Sequence, residues 1–330
     1  MIAALLFLTQ MQAPTQVPVQ VPMQRSTQRN GIQFITSVSA DTMYAGAQFS
    51  YDGIMRINAT ETIRFLDPPA YTPPTMSGAV VYSIPLHARP TVRDVRVGTA
   101  TFKEYRYHHV IFPLTSGLDT VSATTLRFTR LDEKDPYGST GTTLQSPART
   151  LVVLPLPTQG RPRGFSGAVG QLTISMALDT NDWHVGEGTV VRARVSGTGN
   201  LPIIPRPALD IPWATVLATT DSVAWDSTGV VARGFREFRW LVTPQAGGQR
   251  VVPAVRYSAF DPTTARYVTS TTTAIPVRIT GGTVPSHDTV SATPLPTLIR
   301  VVRQYPISVI LIGIALVLAG VAMYRILHLP

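Results

Sequence analysis

The 330-residue sequence has no cysteine, which excludes a disulfide framework, thiolate metal sites and cysteine nucleophiles. The same absence leaves the compartment open, because exported folds can manage without bridges. Charge is scarce, at 14% of residues, so long charged helices are excluded too. Lysine is scarcer still: Lys103 and Lys134 are the only two among 28 basic residues, and arginine supplies the rest. A formal charge of +9 raises the question of a nucleic-acid partner. However, arginines such as Arg192, Arg194, Arg236, Arg239 and Arg278 stand singly along strand-like segments, on faces that alternation leaves in water. No basic run and no interleaved aromatic platform accompanies them, so no nucleic-acid partner is expected.

Catalytic and cofactor signatures are also missing. There is no Gly-rich phosphate loop ending in Lys and Ser/Thr, no H-E-x-x-H and no G-x-S-x-G. His108 and His109 are adjacent, so in a strand they point to opposite faces and cannot share a metal. Asp132, Glu133 and Asp135 before Gly138 lack the register of a calcium loop and read as a solvated hairpin tip. The chain is therefore read as a non-enzyme with no catalytic residues, no cofactor, no metal and no small-molecule substrate.

What the sequence has in abundance is turn residues, with 28 Pro and 24 Gly. Between them run short alternating segments: 32–38, 49–56, 80–84, 102–112, 124–129 and 149–154, then 172–178, 191–195, 235–242, 251–257, 266–269 and 274–279. No helical pattern longer than two turns separates them, which is the pattern of antiparallel sandwiches. The two halves also echo each other. Tyr44-Ala45-Gly46-Ala47-Gln48 leads into a strand as His184-Val185-Gly186-Glu187-Gly188 does. Further on, Phe102-Lys103-Glu104-Tyr105-Arg106-Tyr107 matches Phe235-Arg236-Glu237-Phe238-Arg239-Trp240, and Pro113 and Pro244 end the two runs. Two copies of one β-sandwich domain explain the echo with the fewest assumptions. In each copy the aromatics are read as core, Trp240 among them, and the Glu/Arg pairs as a solvated outer face.

One long apolar run is present. From Tyr305 to Tyr324 there is no charge, Arg300 and Arg303 precede, and Arg325 follows. At ~1.5 Å per residue such a run spans a hydrocarbon core of roughly 30 Å, so a transmembrane helix is expected over 305–324, with Tyr305, Tyr324 and Arg325 as its anchors. At the other end, Ile2 to Leu8 is apolar but has no basic residue before it, so it reads as either a clipped signal peptide or the product of a misassigned start. The expected organisation is a weak signal-like segment and disordered Pro/Gln spacer over 1–30, a first sandwich over 31–154 and a Pro-rich linker over 155–164. A second sandwich over 165–280, a juxtamembrane linker over 281–304, the helix over 305–324 and a short cytoplasmic tail over 325–330 complete it.

The most distinctive stretch is 165–212: Phe165-Ser166-Gly167-Ala168-Val169-Gly170, an alternating strand, the turn Val185-Gly186-Glu187, then Val195-Ser196-Gly197-Thr198-Gly199-Asn200-Leu201 and a Pro-rich segment. With Pro244 to Gly248, Val252-Pro253-Ala254-Val255-Arg256-Tyr257, Phe260-Asp261-Pro262 and Arg266-Tyr267, it resembles the BatD family of aerotolerance-associated membrane proteins. The resemblance is strongest over 151–280 and weaker over 40–150. It implies two tandem immunoglobulin-like sandwiches held in the periplasm by one C-terminal helix in the inner membrane. It also implies work with von Willebrand factor A domain membrane proteins and a MoxR-type AAA+ ATPase, in oxygen or envelope stress tolerance or complex assembly. The family has no established enzymatic activity and no catalytic residues to carry over. The poor signal peptide and the short tail depart from its pattern.

The residues expected to touch a partner are Trp213 and Trp225, which flank loops, and Gly199, Asn200 and Leu201 in the loop after the second strand of the second copy. The same tryptophans, with the arginines, also suit a second reading, a carbohydrate- or cell-wall-binding envelope module.

Overall fold

The computed structural model describes residues 23–29, 31–84, 89–131, 138–226 and 230–282. The expected membrane span, its anchors Tyr305, Tyr324 and Arg325, and residues 1–22 lie outside that set. Among the described residues no helix is long and apolar enough to cross a membrane. The chain is almost all β, as its alternation predicts. Before the Pro-rich connection come β1 (Met23–Arg29), β2 (Ile32–Val38), β3 (Thr42–Tyr44), β4 (Phe49–Asn58), β5 (Ala70–Thr72) and β6 (Ala79–Ile84). They are followed by β7 (Thr91–Val97), β8 (Ala100–Pro113), β9 (Gly117–Val121), β10 (Thr125–Leu131), β11 (Ser139–Gln145) and β12 (Arg149–Leu154). After it come β13 (Gly170–Leu178), β14 (Asp182–His184), β15 (Thr189–Gly199), β16 (Ala214–Ala218) and β17 (Ser222–Asp226). The last five are β18 (Arg233–Pro244), β19 (Gly248–Val252), β20 (Arg256–Asp261), β21 (Arg266–Thr271) and β22 (Ile275–Thr280).

Each half stacks one large sheet against smaller ones. The first large sheet runs β1-β2-β4-β8, with β6 and β7 sharing the far edge of β8; the second runs β13-β15-β18, with β16 and β17 sharing the far edge of β18. Opposite them lie β11-β10-β5 and β3-β12-β9 in the first half, and β14-β22-β19 and β20-β21 in the second. No named sheet takes strands from both sides of 155–164.

The cores follow from period-two patterning. In β13 the residues from Gly170 to Ile174 alternate buried and exposed, so Leu172 and Ile174 join Val191, Val195, Phe238, Trp240 and Val242 against Trp183, Tyr257, Val277 and Ile279 in a single cluster. The first half has two clusters instead. One contains Phe49, Tyr51, Ile111 and Leu151; the other contains Ile32, Phe34, Met55, Tyr107 and Leu126. Between Tyr107 and Ile111 on the same face of β8 sits His109, and the layer around it is polar.

Two sequence readings change. Residues 251–257 were expected as one strand, but β19 and β20 belong to different sheets, because Pro253 has no N–H to continue a ladder where the chain crosses over. Residues 23–29, at the end of the Pro/Gln segment, form an edge strand antiparallel to β2.

The two halves meet through side chains. Tyr82, Ile84, Val110 and Phe112 pack with Ala232 and Trp225. Tyr44, Ala47 and Leu156 pack with Val169, Phe260, Phe165 and Tyr267. The C-terminal end of β8 is therefore buried on both faces.

Candidate functional site

Of the residues expected to touch a partner, Asn200 and Trp225 lie at this joint. Gly199 closes β15 opposite Gly170. Asn200 follows it and is buried, and its Oδ1 accepts the Tyr82 hydroxyl at 3.0 Å while its Nδ2 has no partner. Trp225, half-buried on β17, lies against the same Tyr82 with ring centroids 5.0 Å apart. Leu201 belongs to the core of the second half and is fully buried. Trp213 stands apart, at the opposite end of β18 from Trp225: Ala214 pairs with Pro244, whereas Trp225 pairs with Gly234. It packs near Trp183 at 5.7 Å and donates from Nε1 to the Val251 carbonyl at 3.2 Å. Asn200 and Trp225 are thus brought together through Tyr82 on β6, a strand that the alternation over 80–84 shows but whose neighbours in the second half it does not.

The outer face of β4 and β8 is not the simple solvated face expected. Glu104 is fully buried, because Arg56 on β4 and Arg93 on β7 flank it in register and Arg106 folds back onto it. Arg56 Nε donates at 2.9 Å, and the terminal nitrogens of Arg93 and Arg106 at 2.9 and 3.0 Å. Burial alone would raise the Glu104 carboxyl; the bonds from Arg106, Arg56 and Arg93 overcome it and hold the group below the usual carboxylate range. From Arg106 the network passes to Asp52 at 3.2 Å, and Asp52 meets His108 Nδ1 at 2.7 Å. His108 Nε2 lies 2.8 Å from the Val230 carbonyl in the second half. Both ring nitrogens face acceptors, so the ring that satisfies both is the imidazolium. Burial disfavours that charge, but the Asp52 bond and charge and the Val230 carbonyl raise the pKa overall. A charged relay across the first half therefore ends on the backbone of the second.

On the inner face, His109 Nδ1 lies 3.2 Å from Ser83 Oγ, while His109 Nε2 and the Tyr71 hydroxyl have no partner. Tyr71 lies flat on Tyr107 at 4.2 Å, over Gly53, where a Cβ would meet its ring at 2.7 Å. Burial, then the neighbouring His108 charge, pushes the His109 pKa down to about 4. Burial likewise raises the Tyr71 phenol above its ordinary range. The Ser83–His109 pair has no carboxylate on the second ring nitrogen, so it lacks the third member of a nucleophilic triad. Among the described residues no group of three or more His, Asp or Glu side chains could hold a metal.

No protein-family profile matches this chain. No curated protein matches it either. Among solved structures it is similar to the type II cohesin dyad from the adaptor ScaA scaffoldin of Acetivibrio cellulolyticus, at 10% identity over 66% of this chain and 85% of that one, with a TM-score of 0.17. It is also similar to a chain named BspA_C_mut, at 11% identity over 78% of this chain and 99% of that one, with a TM-score of 0.18. Scores this low carry no argument, and the fold rests on the sheets described above.

Proposed function

We propose that this chain is a non-enzymatic, membrane-anchored scaffold of the BatD type, built of two tandem immunoglobulin-like sandwiches on the periplasmic side of the inner membrane. In this reading it works with von Willebrand factor A domain membrane proteins and a MoxR-type ATPase in envelope stress tolerance or complex assembly. The observation that carries the interaction part is an open sheet edge. β1 pairs with β2 on one side, and among the described residues no strand takes its other side. Gln24, Arg25, Ser26, Thr27 and Gln28 are all exposed. A partner strand can therefore add through backbone N–H and C=O groups without displacing core side chains.

Affinity capture of the tagged full chain from native membranes tests the reading. Recovery of a von Willebrand factor A domain protein or a MoxR-type ATPase is expected, and recovery of neither removes the complex from the proposal. A phosphatase fusion after Pro330 tests the anchoring: an inactive fusion is expected, and an active one reverses the topology. The carbohydrate-binding alternative draws less support, since Trp213 and Trp225 pack inward against Trp183 and Tyr82. Retention on peptidoglycan that Trp213→Ala abolishes would favour it.

A further inference from the structure

We infer that a cleft in the second half, walled by the 162–166 connection, the 206–208 loop and the outer face of β20–β21, binds a phosphate monoester. This inference is independent of the partner-protein reading above. The cleft holds about 370 Å³, and three segments remote in sequence each contribute one arginine to it: Arg163, Arg206 and Arg256. Ser166, Ser258 and Thr269 share the lining, and no aspartate or glutamate does. Ser258 and Thr269 are register partners with hydroxyls 2.8 Å apart. Arg256, two residues before Ser258 on the same strand, stands on the same face.

The charges are arranged for an anion. Arg206 is fixed: it pairs with Asp221, which also takes Arg236, and it donates to the Arg239 and Thr219 carbonyls. Its guanidinium also lies 5.3 Å from the ring centroids of both Phe238 and Trp240. Arg163 and Arg256 are exposed, and neither has an acidic partner among the described residues. Arg163 and Arg256 bring two uncompensated guanidinium groups to a lining shared with the hydroxyls of Ser166, Ser258 and Thr269, which gives the cleft a positive field, whereas Asp221 already neutralises Arg206.

Both walls are tied down before any ligand arrives. The Tyr257 hydroxyl donates to the Pro205 carbonyl at 3.0 Å and holds the loop to β20. On the other side Phe165 packs edge-on against Tyr267 at 4.9 Å. Arg161 Nε donates to the Tyr267 hydroxyl, which in turn donates to the Pro157 carbonyl. A site held open in this way loses little conformational entropy on binding. The chemistry selects the anion. A carboxylate satisfies one guanidinium fork, whereas a tetrahedral oxyanion with three free oxygens can meet Arg163, Arg256 and the lining hydroxyls together. The fourth oxygen, the ester oxygen, leaves toward solvent with the rest of the molecule.

Calorimetric titration of the full chain in dodecyl maltoside at fixed ionic strength, with glycerol 3-phosphate as probe, tests the site. Saturable binding is expected, weakened about tenfold or more in Arg163→Gln/Arg256→Gln. Both side chains are exposed and unpaired, so the variant should keep its fold, which circular dichroism checks. Arg250→Gln, an exposed arginine on β19, should bind as the parent does. Dihexanoyl phosphatidic acid carries the same head group on a lipid; tighter binding than glycerol 3-phosphate identifies a lipid as the source, and equal binding identifies a soluble monoester. No saturable binding at millimolar probe, binding that survives the double substitution, or an equal loss in Arg250→Gln overturns the inference.

Discussion

Glu104 and Glu237 hold the same register place in the two halves, opposite Arg56 and Arg194 respectively, yet their surroundings differ. The Glu104 side chain is fully buried among three arginines. Glu237 bonds Arg194 and Arg239, whose side chains are 47% and 42% exposed. Removing one partner of a buried ionic network leaves charges without compensation, so Glu104→Gln should cost about 3 kcal/mol or more. Glu237→Gln, with its arginines free to turn to water, should cost about 1 kcal/mol or less. Urea unfolding of the two variants at pH 7 checks the difference, and equal costs would contradict it. The adjacent histidines make a second pair of opposites. His109 stays neutral down to about 4, whereas in the unfolded chain it titrates near 6.5. Between those values the unfolded state binds more protons, so the native state loses stability as pH falls, on the order of 3 kcal/mol over the window. His108 has a raised pKa, so its contribution is complete below its unfolded pKa and is lost as pH rises through the folded one. Replacing His109 by valine, the residue of its counterpart Val242, should flatten the acid side of the stability profile between pH 6.5 and 4.5. Denaturation midpoints across that range measure it.

At the scale of elements, strands with an alternating apolar pattern were legible, whereas polar ones such as β7 and β11, and the three-residue ones, were not. β4, β8, β13, β15 and β18 all contain the alternating runs read from residues alone. β3, β5 and β14 are three residues each, too short for a period to show, and exist because a neighbouring strand supplies their hydrogen bonds. The central ladder of the second half depends on close backbone approach at several glycines, Gly170, Gly197 and Gly234 among them. Gly197 has φ +145°, and a Cβ there would collide with the Gln171 carbonyl across β13–β15. Gly197→Ala should therefore destabilise by more than about 2 kcal/mol. Hydrogen exchange should quicken first at the amides of β13 and β15; an exchange pattern unchanged from the parent would count against this account.

For the whole molecule, the joint decides behaviour. The apolar cluster around Tyr82, Phe112, Trp225 and Ala232, the Ala232 amide donating to Gln48 Oε1 at 3.1 Å and the His108 clamp on Val230 couple the halves. A fully buried large aromatic such as Phe112 contributes about 1.5–3 kcal/mol, and half-buried Tyr82 and Trp225 add to it, enough to make the two halves unfold as one. Tyr82→Ala/Trp225→Ala should split a single calorimetric transition into two, with the second half, whose core is continuous, melting higher. A transition that stays single and merely shifts would show that coupling lies elsewhere.

The all-β class and the core role of Trp240 were set by the sequence alone, because period-two patterning and turn residues are local properties of the chain. Tertiary structure alone decided the rest. Burial of Glu104 needed Arg56 and Arg93, 48 and 11 residues away. The raised pKa of His108 needed Asp52, 56 residues away, and a carbonyl 122 residues away. Asn200 and Trp225 became joint residues because Tyr82 met them from the other half. The arginine cleft assembles only when the connection, a loop and a hairpin of the second half fold against one another. Local patterning records which face of a strand is apolar; it does not record what later covers the other face, and that cover determines burial, protonation and binding here.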